Sequence, residues 1–167
     1  MPPKPPPSSR EPEERALDGT ARRVEQARKA AGLTEAEAAA LIGVSQAAYC
    51  DLESYDDEME TCLSLREVRA VGSILGADPV WLLTGRPSPP VHPLPLFDVV
   101  ASIRAYLAER RLPVSEFEDL TGWGVSEALE KPAAAWDWNV DGLRDLCDVL
   151  GLDYRAVLLA EDGDAGT

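Results

Sequence analysis

The stretch GLTEAEAAALIGVSQAAYCDLE, residues 32–53, holds the punctuation of two short helices joined by a tight turn. Thr34 with Glu37 three residues later has the form of a capping box. In that motif the hydroxyl and the carboxylate each satisfy a backbone N–H that the helix start leaves free. The run that follows stops at Gly43, a residue that takes the left-handed C-cap conformation without a Cβ penalty. Ser45 then caps a second run that ends near Ser54. Tyr49 and Leu52 keep an i, i+3 spacing with Tyr55, which assigns Tyr49 and Leu52 to a core.

The same grammar continues outward. Leu17, Ala21, Val24, Ala27, Arg28 and Ala31 give an upstream helix with an apolar stripe, closed by Gly32. Downstream, YDDEMET reads as an acidic loop. Ser64 with Glu67 is a second capping box and opens a helix with the stripe Leu65, Val68, Val71, Ile74 and Leu75. Asp78-Pro79 is a cap followed by a first-turn proline, and PVWLLT reads as one more short helix. Residues 1–13 are proline-rich and polar and are expected to be disordered. Residues 86–95, RPSPPVHPLP, read as a stiff linker, and residues 161–167 as a frayed acidic tail. The expected fold is therefore all-α. It comprises two tandem small helical bundles of roughly five helices each, over residues 14–85 and 96–160, packed together because each alone buries limited area.

The second bundle echoes the first. Residues 114–126 align without gaps on residues 33–45 at an offset of 81, matching Glu35 to Glu116, Glu37 to Glu118 and Gly43 to Gly124. Residues 140–153 align on 65–78 at an offset of 75, with Leu150-Gly151 on Leu75-Gly76. An internal duplication that lost six residues around its third helix is the simplest reading. That third helix, residues 126–131, must stop before Pro132.

Composition removes several function classes. The net charge is −14, and residues 33–61 carry eight acidic side chains and no Lys or Arg. Cys50, Cys62 and Cys147 match no zinc spacing, and the chain has a single histidine, His92. The cysteines are read as small apolar fillers. ESYDDEME lacks the ladder and central glycine of a calcium loop. No metal or cofactor is expected. No nucleophile, base or phosphate loop appears, so the protein is expected not to be an enzyme. Apolar runs are broken by charge, and the N-terminus lacks the apolar segment of a signal peptide, which predicts a cytoplasmic protein with no membrane partner.

Gly32-Leu33-Thr34, Ala39 two residues before Leu41, Gly43-Val44-Ser45, Leu52-Glu53 and Leu75-Gly76 together resemble the Cro-like, XRE-type helix-turn-helix family over residues 17–84. Residues 97–160 are similar to it only as a degenerate copy. The resemblance implies that the third helix lies in a major groove and that the second helix starts at phosphate. Ser45, Gln46, Ala47 and Cys50 would then face DNA, Gln46 being suited to a bidentate pair with adenine, while Arg28 and Lys29 would supply cations. Glu53 matches a glutamate whose role in the family is largely structural. Glu35 stands where the family commonly has glutamine, and Asp51 where a basic or polar residue is usual.

Two functions follow from these residues. One is a transcriptional regulator whose binding to duplex DNA is disfavoured by charge, hence weak or partner-dependent. The other is an acidic protein-interaction module, of antitoxin, immunity, adaptor or nucleic-acid-mimic type. It would offer Asp51, Glu53, Asp56, Asp57 and Glu58 to a partner with a basic surface, with Trp136 and Trp138 as aromatic anchors or as core. Family members often act as symmetric dimers. Either a homodimer or a pseudo-dimer within one chain fits the duplication.

Overall fold

The structure, a computed structural model, describes residues 19–160. The proline-rich start, Leu17 and the acidic tail lie outside the described residues. Every regular element among these residues is helical, and the one β-type contact is an isolated antiparallel bridge between Ser64 and Asn139.

The first unit holds six helices: α1 (Thr20–Ala30), α2 (Glu35–Ile42), α3 (Gln46–Ser54), α4 (Glu58–Thr61), α5 (Leu65–Leu75) and α6 (Pro79–Thr84). Both expected capping boxes form, Thr34 with Glu37 and Ser64 with Glu67. Gly43 sits at φ 90°, in the left-handed region, and its N–H closes α2 on the carbonyl of Ala39. Asp78 accepts from the N–H of Val80 and starts α6 with Pro79 in its first turn. The acidic stretch expected as a loop is instead partly helical. Met59 is fully buried there, and its side chain anchors the single turn that forms α4.

Gly72 explains how α5 and α6 pack. A Cβ on it would lie 2.9 Å from the carbonyl oxygen of Ala77 and 3.1 Å from Cδ of Pro79. The glycine lets the chain fold back across the helix, and a larger residue would force the turn outward.

The second unit holds α7 (Leu96–Arg110), α8 (Val114–Thr121), α9 (Ser126–Glu130), a 3-10 helix (Pro132–Asp137), α10 (Val140–Leu150) and α11 (Tyr154–Leu159). Here the sequence register needs correction. Helices α2 and α8 begin and end 79 residues apart, and the left-handed glycines that close them are Gly43 and Gly122 (φ 74°), so the offset of 81 that matches Gly43 to Gly124 does not coincide with the helix limits. The matched pairs Glu35–Glu116 and Glu37–Glu118 therefore do not hold like positions in their helices. The offset of 75 coincides with the helix limits: α5 and α10 are eleven residues each, α6 and α11 six.

One apolar cluster runs through both units, from Val24, Tyr49, Leu52 and Leu65 to Ile103, Phe117, Leu143 and Val157. Each buried leucine in it stabilises the fold by ~1.5–3 kcal/mol. The stiff connection over residues 86–95 is tied at both ends. The backbone N–H of Ser88 donates to Asp78 at 3.0 Å, and that of Leu94 donates to the carbonyl of Ala156 at 2.9 Å.

Trp136 and Trp138 are half-buried, so neither is wholly core nor wholly exposed. The guanidinium of Arg69 lies 4.8 Å from the Trp136 ring centre, and the Trp138 carbonyl accepts from the N–H of Leu65 at 2.7 Å. Of the cysteines, Cys147 is buried, and burial pushes its thiol up to about 12. Cys62 is exposed and fills nothing.

Candidate nucleic-acid interface

Helix α3 is held from behind and open in front. Tyr49 and Leu52 are fully buried, while Ser45, Gln46 and Ala47 are exposed at its first turn. The Ser45 hydroxyl accepts from the N–H of Ala48 at 3.1 Å, and the first turn contains no acidic residue. The principal neighbours of α3 are α1, α2 and α4, so the second unit does not cover this edge.

Behind α3 lies a charged brace. Arg28 donates to both oxygens of Glu53, Nε to Oε1 at 2.6 Å and Nη2 to Oε2 at 3.0 Å, and Nη1 donates to the carbonyl of Leu33 at 2.9 Å. Side-chain exposure is 10% for Arg28 and 8% for Glu53. The carboxylate holds the guanidinium firmly protonated, with its pKa raised above the ordinary value. Bidentate pairing of this kind fixes direction as well as charge. It locks the end of α3 to α1 and to the turn before α2. Arg28 therefore spends its charge inside the domain, and Glu53 is equally withdrawn from the surface.

The Tyr49 hydroxyl is sealed beside this brace and has no hydrogen-bond partner in bonding geometry. Burial first, and the negative charge of Glu53 second, push its pKa well above the usual phenol value.

Other cations near the motif are also engaged. Arg22 and Lys29 both bond to Glu25, at 3.0 and 2.7 Å. Arg23 is buried, with Nε donating to the carbonyl of Leu82 at 2.8 Å. Lys29 remains exposed, so its pair with Glu25 is a weak surface contact that a phosphate could compete with. Cys50 is half-buried and donates to Glu35 at 3.2 Å, an ordering that raises its thiol pKa and turns the sulfur toward α2.

The N-terminus of α2, where phosphate is expected in the motif, is already occupied. The Glu37 carboxylate accepts from the N–H of Thr34 at 2.8 Å, and that bond holds its pKa below the usual range. Glu35 adds a second negative charge in the same turn. Among the acidic residues of the interaction reading, Asp51, Asp56 and Asp57 are exposed, Glu58 is half-buried, and Asp56 also accepts from the N–H of Ala21 at 3.0 Å.

Residues 24–82 match the protein-family model described as helix-turn-helix. This segment is similar to helix-turn-helix domains of the XRE type. The match spans well under half of the 167 residues and does not extend into the second unit. No curated protein matches the chain, and no solved structure does. Within the matched residues α2 and α3 are the consecutive helices joined by the turn at Gly43. The Arg28–Glu53 brace was missed by the sequence reading, which took Arg28 as a surface cation. Its signal was present: a glutamate at the end of the third helix in a family where that residue is structural.

In the second unit the start of α9 is closed by a carboxylate. One oxygen of Glu118 accepts from the N–H groups of Val125 and Ser126 and from the Ser126 hydroxyl, all at 2.7 Å, and these bonds hold its pKa below the usual range. A carboxylate thus plugs the start of α9, which is only five residues long and ends before Pro132. Among the described residues, no group of three or more His, Cys, Asp or Glu side chains is arranged to hold a metal ion, and no helix is long and apolar enough to cross a membrane.

Proposed function

We propose that this protein is a non-enzymatic transcriptional regulator that reads duplex DNA with the first turn of α3, through Ser45, Gln46 and Ala47. Its direct affinity is weak or depends on a partner. The observation that carries this reading is the combination of a rigidly braced α3 with a first turn that the rest of the fold leaves open. The family match supports it. Weak affinity follows from charge: Arg22, Arg23, Arg28 and Lys29 of α1 are engaged by carboxylates or carbonyls, residues 33–61 carry no Lys or Arg, and counterion release is correspondingly small. A cytoplasmic setting fits this role.

The test is a titration of duplex DNA at ~50 mM salt, where phosphate contacts are strongest, with Gln46→Ala alongside. Binding that Gln46→Ala weakens supports direct reading, since one good bidentate base contact contributes ~1–3 kcal/mol. Absence of binding by the native protein at that salt overturns it.

A second reading is favoured by one observation. Asp51 and Asp57 are exposed on the domain in which the cations of α1 are engaged, and Glu37 neutralises the start of α2. Such a face suits a protein partner with a basic surface. Binding to a basic protein that Asp51→Lys abolishes, together with no DNA binding, would establish it.

A further inference from the structure

The contacts between the two units are reciprocal. Helix α4 packs on α10, while the 3-10 helix, which follows α9 as α4 follows α3, packs on α5; α6 packs on α11. Since α5 and α10, and α6 and α11, stand 75 residues apart, each contact has its mirror or is its own mirror. The caps repeat at the same offset. Ser64 and Asn139 each accept from the third helical N–H, and Asp78 and Asp153 each accept from the second.

Ser64 and Asn139 are counterparts, and they bridge to each other. Around them Asn139 donates to the carbonyl of Thr61 at 3.0 Å. Arg69 and Arg144 are also counterparts, and each leaves its own unit: Arg69 lies over Trp136, and Arg144 bonds Glu60 at 2.5 Å. An interface in which residue i meets j and j meets i, with self-equivalent residues on the axis, is the isologous two-fold arrangement of symmetric dimers.

We infer that residues 96–160 serve as a built-in second subunit. They occupy the face on which the helix-turn-helix domain would pair with another copy, so the chain is complete as a monomer and presents one reading helix. Symmetric helix-turn-helix dimers bind two half-sites a helical turn apart. This chain instead takes a single half-site, because α9 is five residues long and its N-terminal amides are held by Glu118. The half-site clause rests on the proposed DNA-reading function; the paired-unit clause does not.

The first experiment needs no DNA. Sedimentation equilibrium of the full chain up to ~100 µM is expected to return the mass of one chain, 18.0 kDa, at every concentration. A reversible dimer overturns the inference. In the second, the protein is titrated at low salt with duplexes carrying one copy or an inverted pair of a motif selected from random sequence. The inverted pair should gain only the statistical factor of ~2, whereas a two-headed binder gains ~100-fold or more. Cooperative binding of two chains to the inverted pair overturns the inference. A monomeric mass with no DNA retained in the selection overturns the half-site clause and the regulator reading, and leaves the built-in subunit supported.

Discussion

Arg28 and Glu53 face each other fork to fork across 25 residues of sequence, at 2.6 and 3.0 Å, with both side chains at or below 10% exposure. The pair couples α1 to the end of α3. Removing one partner leaves a buried charge without compensation, which costs ~3–5 kcal/mol. Arg28→Ala is therefore expected to lower stability by about that amount in denaturant unfolding, with Glu53→Ala close behind. The double variant should cost less than the sum, because each change removes the other's penalty. An additive double would show that the two side chains do not act as a pair.

Tyr49→Phe should leave the fold intact and stabilise it. The ring is fully buried and its hydroxyl, near the Glu53 carboxylate, makes no bond in good geometry, so deleting the oxygen removes a desolvated polar atom at little cost in bonding. An increase of ~1 kcal/mol, seen as a higher Tm, is the expected result. A drop of similar size would reveal a bond to the hydroxyl.

Gly72→Ala is expected to destabilise the chain although alanine is the better helix former. The new Cβ meets backbone at 2.9 Å and Pro79 at 3.1 Å, neither of which yields easily. Overpacking of this kind costs ~1–3 kcal/mol, against a propensity gain of about 1. A neutral or stabilising Gly72→Ala in thermal unfolding would mean that the turn after α5 gives way.

Acid should loosen both units through their helix caps. Glu37, Glu118 and Asp153 all have pKa values held below the ordinary carboxylate range, Glu37 and Glu118 chiefly by hydrogen bonds to Thr34 and Ser126 and Asp153 by Arg155. A depressed folded pKa contributes stability that is present above the unfolded value, about 4 for these groups, and is lost as pH falls through the folded value. Tm should hold steady from pH 7 to about 5 and decline below about 4. Glu118→Gln should lower Tm at pH 7 and converge on the native curve in acid. A gap that persists unchanged at low pH would exclude the carboxylate as its source.

Local punctuation made much of this fold readable. The capping boxes at Thr34 and Ser64, the left-handed glycines at 43 and 76 and the Asp78-Pro79 start all lie within four residues of the groups they satisfy. What escaped depends on distance. Met59 nucleates α4 because it reaches a core that the acidic local sequence does not announce. The two-residue shift between α2 and α8 is set by where their helices start, and the residue matches at an offset of 81 concealed it. For the site, Ser45, Gln46 and Ala47 could be placed from the Ser45 cap alone. For Arg28 the one sign was the structural glutamate at the end of α3, and Arg23 had none, since their partners lie 25 and 59 residues away and only the folded chain brings them together.

The connection over residues 86–95 makes the pairing of α6 with α11 a property of one molecule. Two separate copies would meet at a rate set by their abundance and would carry every substitution twice. Joined halves stay together at any dilution, and each is free to change without the other. A five-residue α9 in one half beside a nine-residue α3 in the other is the kind of divergence that such freedom permits.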